Sequence, residues 1–134
     1  MKMPAAMCLA LVLGACSTIN PSTDCLAGKR AIETQLYFGL AKSRGAVGAR
    51  EWQAFVEHEI APRFREGFTI LDGRGFWLNE DAKRTISENS KVLIRVHDGS
   101  PKDNEAIGAI VANYKRVFAQ DSVLRVDENV CAAF

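Results

Sequence analysis

Apolar residues along this chain change their spacing in a fixed order: every second residue, then helical, then every second residue in two runs, then helical, then every second residue again. Few folds accommodate that order. Residues 34–40 alternate Leu36, Phe38 and Leu40 against Gln35, Tyr37 and Gly39, the period of a half-buried strand. Residues 49–61 set Trp52, Phe55, Val56 and Ile60 on one helical face, and Pro62 ends the winding. Strand spacing returns at 68–71 and 76–78, around a segment 72–75 in which Gly73 and Gly75 suggest a bulge or tight turn. Polar residues 79–89 read as a long hairpin connection. After them, 91–97 alternates Val92, Ile94 and Val96 against Lys91, Leu93, Arg95 and His97. Ser100-Pro101-Lys102-Asp103 has the make-up of a helix start: a capping hydroxyl, a proline at the first position and an acid at the third. Ile107, Ile110, Val111, Tyr114, Val117 and Phe118 follow at helical spacing. Residues 122–127 then alternate Leu124 and Val126 against Val123, Arg125 and Asp127, leaving Cys131 just past the strand.

Strand, helix, strand, strand, helix, strand predicts a ferredoxin-like α+β sandwich, with two helices on one face of an antiparallel sheet. The first and last strands are neighbours in that topology, so a cysteine before the first lies near one after the last.

The start of the chain bears on the cysteines. Lys2, the apolar run 5–13 and Leu13-Gly14-Ala15-Cys16 look like a lipoprotein signal, with a stretch too short to span a bilayer. Resemblance to such signals implies cleavage before Cys16 and acylation of its thiol and new amino group. Two or more chains would anchor the protein durably. An ordinary secretory leader cut at the same place is the alternative. Ser17 after the cysteine favours, by resemblance to Gram-negative lipoproteins, the periplasmic leaflet of the outer membrane. The chain then divides into a leader at 1–15, a lipidated Cys16 and tether through residue 30, and one domain over 31–134. With Cys8 removed and Cys16 consumed, Cys25 and Cys131 remain in an oxidising compartment. They are expected to form a disulfide, the alternative being two free thiols.

The leader takes Lys2 with it, so of 17 Lys and Arg the mature chain keeps 16, against 16 Asp and Glu. Such neutrality gives no reason to expect nucleic acid as a partner, or adhesion to anionic lipid beyond the anchor.

Leu36-Tyr37-Phe38-Gly39, Glu51-Trp52, Pro62-Arg63-Phe64 with Gly67, Leu71-Asp72 with Gly75 and Trp77, Ser90-Lys91-Val92, Tyr114-Lys115 with Phe118, and Gln120-Asp121-Ser122-Val123-Leu124 together resemble an uncharacterised family of small exported bacterial proteins, known only as domain of unknown function 3574. The resemblance covers about residues 25–134. It implies export and a single compact domain and supplies no activity. Gly48-Ala49-Arg50 departs from the acidic or Ser residue with which the family often opens its first helix.

For chemistry, alternation assigns Gln35, Tyr37, Lys91, Arg95, His97, Val123, Arg125 and Asp127 to the sheet face that the helices leave open. Lys91, Arg95 and Arg125 could neutralise an anionic ligand there, and Tyr37 offers a flat ring with a polar tip. The same face could instead be solvated, or packed on a second copy or an envelope protein. His58, between Glu57 and Glu59, reads as solvated surface. Trp52 and Phe55 read as core, Trp77 as a core edge or groove wall, and Arg63 as a helix cap or a partner for Asp72. Two histidines at unrelated positions predict no metal site, and no phosphate loop, nucleophile elbow or zinc-protease motif occurs. No cofactor is expected. These residues point to a membrane-anchored, non-catalytic binding or envelope-accessory domain. The alternative is a small enzyme in which Tyr37 or His97 moves protons while Arg95 and Arg125 hold an anionic substrate.

Overall fold

A computed structural model of the chain describes residues 25–134; the leader, Cys16 and the tether before residue 25 lie outside the described residues. The elements are β1 (Lys29–Gly39), α1 (Ala49–Phe55), β2 (Thr69–Asn79), β3 (Arg84–His97), α2 (Pro101–Phe118) and β4 (Leu124–Ala132). The strands form one sheet in the order β2-β3-β1-β4, and every neighbouring pair is antiparallel. This is an α+β fold of ferredoxin-like topology.

The helices start as their sequences dictate. Ser100 Oγ accepts the Asp103 backbone N–H (3.2 Å) to cap α2, and Pro101 opens it without wasting a donor. Gly48 cannot cap α1 with a side chain, but Glu51 three residues on accepts the Gly48 N–H (2.8 Å), which restores half of a capping box. That bond, helped by Lys42, holds the Glu51 carboxyl below its usual range. Past Phe55 the winding loosens to a π-helix over Val56–Ile60, seen in the Ala61 N–H bonding to Val56 O (2.9 Å), and Pro62 then stops it.

The strands run longer than alternation predicts. β1 opens at Lys29, inside the expected tether, and β4 continues to Ala132, so Cys131 lies within the strand opposite Arg30. β2 does not break at its glycines. Gly73 lies opposite Ser90, and a Cβ there would come within 2.7 Å of Ser90 Oγ, so close approach across the ladder is what calls for glycine. Most of the expected 79–89 connection is strand as well. Asn79 Oδ1 accepts the Ala82 N–H (2.7 Å) in the turn, and Lys83 takes the left-handed conformation at φ 47°.

Between the sheet and the helices lies an aromatic core. Phe38 of β1 sits 4.7 Å from Tyr114, 5.4 Å from Trp52 and 6.4 Å from Phe55, ring centre to ring centre. Tilted and edge-on pairs of this kind add about 0.5–1.5 kcal/mol each beyond area burial. Leu36, Leu93, Ile107, Ile110 and Phe118 complete it. The Tyr114 hydroxyl donates to Gly39 O (2.8 Å), so the phenol enters the core with its polar end paired, and burial pushes its ionisation above the usual range.

Cys25 and Cys131 are joined by a disulfide, with Cα atoms 5.5 Å apart. The bridge ties the segment before β1 to the end of β4 and closes nearly the whole domain. In the chain-entropy view a loop of about 100 residues is worth roughly 4–5 kcal/mol. Reduction, or the double change Cys25→Ala and Cys131→Ala, is therefore expected to lower the melting temperature by at least about 10 °C in calorimetry.

Candidate functional site

Register decides what each strand shows to the helices. Leu36 and Phe38 are buried under them, and directly opposite stand Leu93 and Lys91; Thr34, also buried, faces Arg95 on one side and Asp127 on the other. Arg125 lies opposite Leu36, and Ile32 opposite His97. Directly opposed residues share a face. The sequence expectation for this group is thereby corrected: Lys91, Arg95, His97, Arg125 and Asp127 belong to the helix-covered side, and Val123 packs against the core. Tyr37 and Gln35 alone of the set lie on the open face, where the Tyr37 hydroxyl donates to Gln35 Oε1 (2.6 Å). Tyr37 cannot act on one ligand together with Arg95 and Arg125, because the sheet stands between them.

The polar groups on the helix side gather where β3 ends and α2 begins. His97 is buried, and the Gly99 N–H donates to its Nδ1 (3.1 Å). This leaves the proton on Nε2, which donates to Thr34 Oγ1 (2.8 Å). The Thr34 hydroxyl in turn donates to Asp127 Oδ1 (2.5 Å), which also accepts from Arg125 Nε (3.0 Å). His97 and Thr34 each give one proton and receive another, and the Asp127 carboxylate accepts two, so a polar chain crosses three strands from the buried His97 and Thr34 to the solvent-exposed Asp127 and half-exposed Arg125. The hydrogen bond from the Thr34 hydroxyl, reinforced by Arg125, holds the Asp127 carboxyl below its usual range against the opposing effect of desolvation. Gly99 stands at φ +76°, and a Cβ would approach Ile32 Cδ1 to 2.6 Å, so only glycine presents that N–H to His97.

Arg95 is the other buried charge, its side chain 7% exposed. Its Nη1 donates to Gly67 O (2.8 Å) and its Nη2 to Glu66 Oε2 (2.9 Å), both in the connection from α1 to β2. The guanidinium carbon lies 5.3 Å from the centre of the Phe64 ring. Asp103 of α2 sits between the two basic groups, 3.8 Å from Arg95 Nη2 and 3.7 Å from His97 Nδ1. Arg95 Nε has no hydrogen-bond partner among the described residues, although it is shielded from solvent. Nε and Nη2 form the edge of a guanidinium that grips a carboxylate or phosphate with two parallel bonds. Glu66, whose side chain is 85% exposed, occupies only half of that edge.

Arg95 and His97 form part of the wall of a cleft of about 1400 Å³, bounded by the α1–β2 connection, the start of α2 and the ends of β1 and β3. Six Lys or Arg side chains line it against four Asp or Glu, an excess that suits an anion. Among the described residues no three or more His, Cys, Asp or Glu are grouped to hold a metal, and no helix is long and apolar enough to cross a membrane. The remaining sequence candidates fall outside the cleft or at its rim. His58 is exposed, Trp52 and Phe55 are core, and Lys91 pairs with Asp72 across the β2–β3 ladder. Arg63 donates to Glu59 O (2.7 Å), capping the winding before Pro62. Sequence reasoning missed Thr34, Glu66 and Gly99, and read Asp103 as part of the helix start alone. A threonine in the same alternating row as Leu36 and Phe38 was the one local sign of a polar group turned inward.

Residues 33–134 match the family model described as a protein of unknown function (DUF3574). The chain belongs to that family. No curated protein matches it. Among solved structures it is similar to a phage SAM lyase in complex with S-methyl-5'-thioadenosine, at 18% identity and a TM-score of 0.54, covering 82% of this chain and 95% of the other. The same kind of enzyme in the apo state matches at 19% identity and a TM-score of 0.53, covering 83% and 96%. At such identity the likeness establishes the fold.

The lowered Asp127 carboxyl gives a direct test of the polar chain. Because its folded value lies below its unfolded one, near 3.9 in model peptides, the ionised group contributes stability above about pH 4, and the contribution fades as pH falls through the folded value. Asp127→Asn is expected to melt lower than the wild type at pH 7, with the two melting temperatures converging in titrations toward pH 3.

Proposed function

We propose that this DUF3574 chain is an exported binding domain held at a membrane by lipid on Cys16, and that the cleft beside Arg95 takes a small anionic ligand. The carrying observation is the buried guanidinium whose Nε lacks a partner at the wall of a cation-rich cleft. A carboxylate or phosphate there would bridge Nε and Nη2 and displace Glu66, whose side chain is exposed and whose place at Nη2 the new anion takes, so the buried guanidinium keeps an acceptor. Lys102 and Arg65 at the lining add charge that draws such a ligand in. The disulfide suits an oxidising compartment, in keeping with the leader that ends at Cys16. The role of the polar chain is to hold Thr34, His97 and the start of α2 rigid behind the ligand, so the reading is binding and not turnover.

Calorimetric titration of the full chain with inorganic phosphate, pyrophosphate and citrate tests the cleft. At least one anion is expected to bind, and Arg95→Gln to weaken it 10-fold or more, roughly the loss of one charge-assisted bond. Arg65→Ala with Lys102→Ala, at positions away from the core, is expected to weaken it with melting unchanged. No binding by any of the three anions, or binding indifferent to both variants, contradicts the cleft reading. S-methyl-5'-thioadenosine, the compound bound by the phage enzyme, belongs in the same titration, since its binding or conversion would favour a nucleoside site instead. Lipidation is tested separately: labelled palmitate should enter the wild type and not Cys16→Ala.

A further inference from the structure

The face left open by the helices is apolar, and it continues onto an arm. Register puts Val92, Ile94 and Val96 of β3, Leu71 of β2, and Leu124 and Val126 of β4 on that face, with Leu71 49% and Leu124 59% exposed. Three of the polar groups on it are already paired with each other: Tyr37 donates to Gln35, and Gln35 Nε2 donates to Glu33 Oε1 (2.8 Å). Covering this strip would therefore orphan few donors.

The pairing of β1 with β3 ends at Gly39 and Ser90, while the β2–β3 ladder runs on to Asn79 and Arg84. The rest of β2 and β3 projects as a two-stranded arm. Trp77 and Ile86 continue the open face along it. Phe76 and Leu78, 65% and 58% exposed, occupy its other side. A two-stranded ribbon alone in water is marginal, and one with apolar groups on both sides calls for a cover.

We infer that the cover is a second copy of this chain, with the arm of each protomer lying on the open sheet face of the other. The area is sufficient. Strand spacing and rise give the face and arm a plan of about 600 Å², which side-chain relief raises toward the ~800 Å² per partner of a standard interface. The charges agree as well. The chain is nearly neutral overall, so copies do not repel. Glu33 and Glu128 stand opposite each other at one end of the face and Arg84 at the far end of the arm, so a two-fold axis across the strands brings Arg84 of one copy toward the acids of the other. Gly75 of β2, where a Cβ would meet nothing within 4 Å, leaves a shallow waist between face and arm where the two copies can cross closely.

Analytical ultracentrifugation of the full chain carrying Cys8→Ser and Cys16→Ser, so that neither lipid nor a stray thiol couples copies, tests this. A dimer at micromolar concentration is expected. Trp77→Asp with Ile86→Asp on the arm, and separately Val126→Asp on the sheet body, are each expected to weaken it at least 100-fold while circular dichroism stays unchanged. Glu57→Lys, in the π-helical turn over Val56–Ile60, should leave it intact. A wild type that stays monomeric overturns the proposal, as does a dimer that survives both face variants. A monomer that instead floats with phosphatidylcholine vesicles overturns it in favour of a lipid surface.

Discussion

Everything in this domain hangs on the alignment of β1 with its two neighbours. Leu36 opposite Leu93 and Phe38 opposite Lys91 fix which row of each strand enters the core, and a slip of one residue would turn every side chain to the other face. Phe38 enforces the register, because its ring meets Trp52, Phe55 and Tyr114 at once and no other residue of β1 could take its place there. Tyr114 adds a backbone tie to Gly39 at the end of the same strand. The disulfide secures the opposite end of β1 against β4.

Once that register is set, Arg95, His97 and Asp127 have no choice of side. Arg95 and His97 are buried beneath the helices at the end of the sheet where the aromatic core has run out, and Asp127 stands on the same side at its solvent-exposed edge. Burial of polar groups is tolerable only when they are satisfied, and buried His97 and Thr34 are, through the chain that runs from Gly99 by way of both to the exposed Asp127 and its partner Arg125. Arg95 is incompletely served, since Gly67 and Glu66 leave Nε without a partner. An unsatisfied buried donor costs stability, and at the wall of a cation-rich cleft the proposed anion would supply the missing acceptor.

The order of elements, the cap of α2 and the core aromatics were legible in local spacing because each depends on residues close in sequence. Inward and outward rows were not. Alternation separates Val92, Ile94 and Val96 from Lys91, Leu93, Arg95 and His97 correctly, yet the ordinary preference for apolar side chains inside chooses the wrong row. The polar row is inside because long-range pairing with β1 and β4 supplies its partners, and no window of one strand contains that information. Strand ends were underestimated for a related reason: polar residues 84–90 belong to a ladder whose stability comes from β2, not from their own propensity. The same inversion leaves valines, isoleucines and leucines on the open face, the face proposed to take a second copy.

The most direct test of this arrangement is the nitrogen-15 spectrum of the histidine rings at neutral pH. Buried between Gly99 and Thr34, His97 should show a single tautomer protonated at Nε2, with a proton that exchanges slowly with water, while exposed His58 averages and exchanges fast. A His97 ring that averages like His58, or carries its proton on Nδ1, would contradict the register and the site built on it.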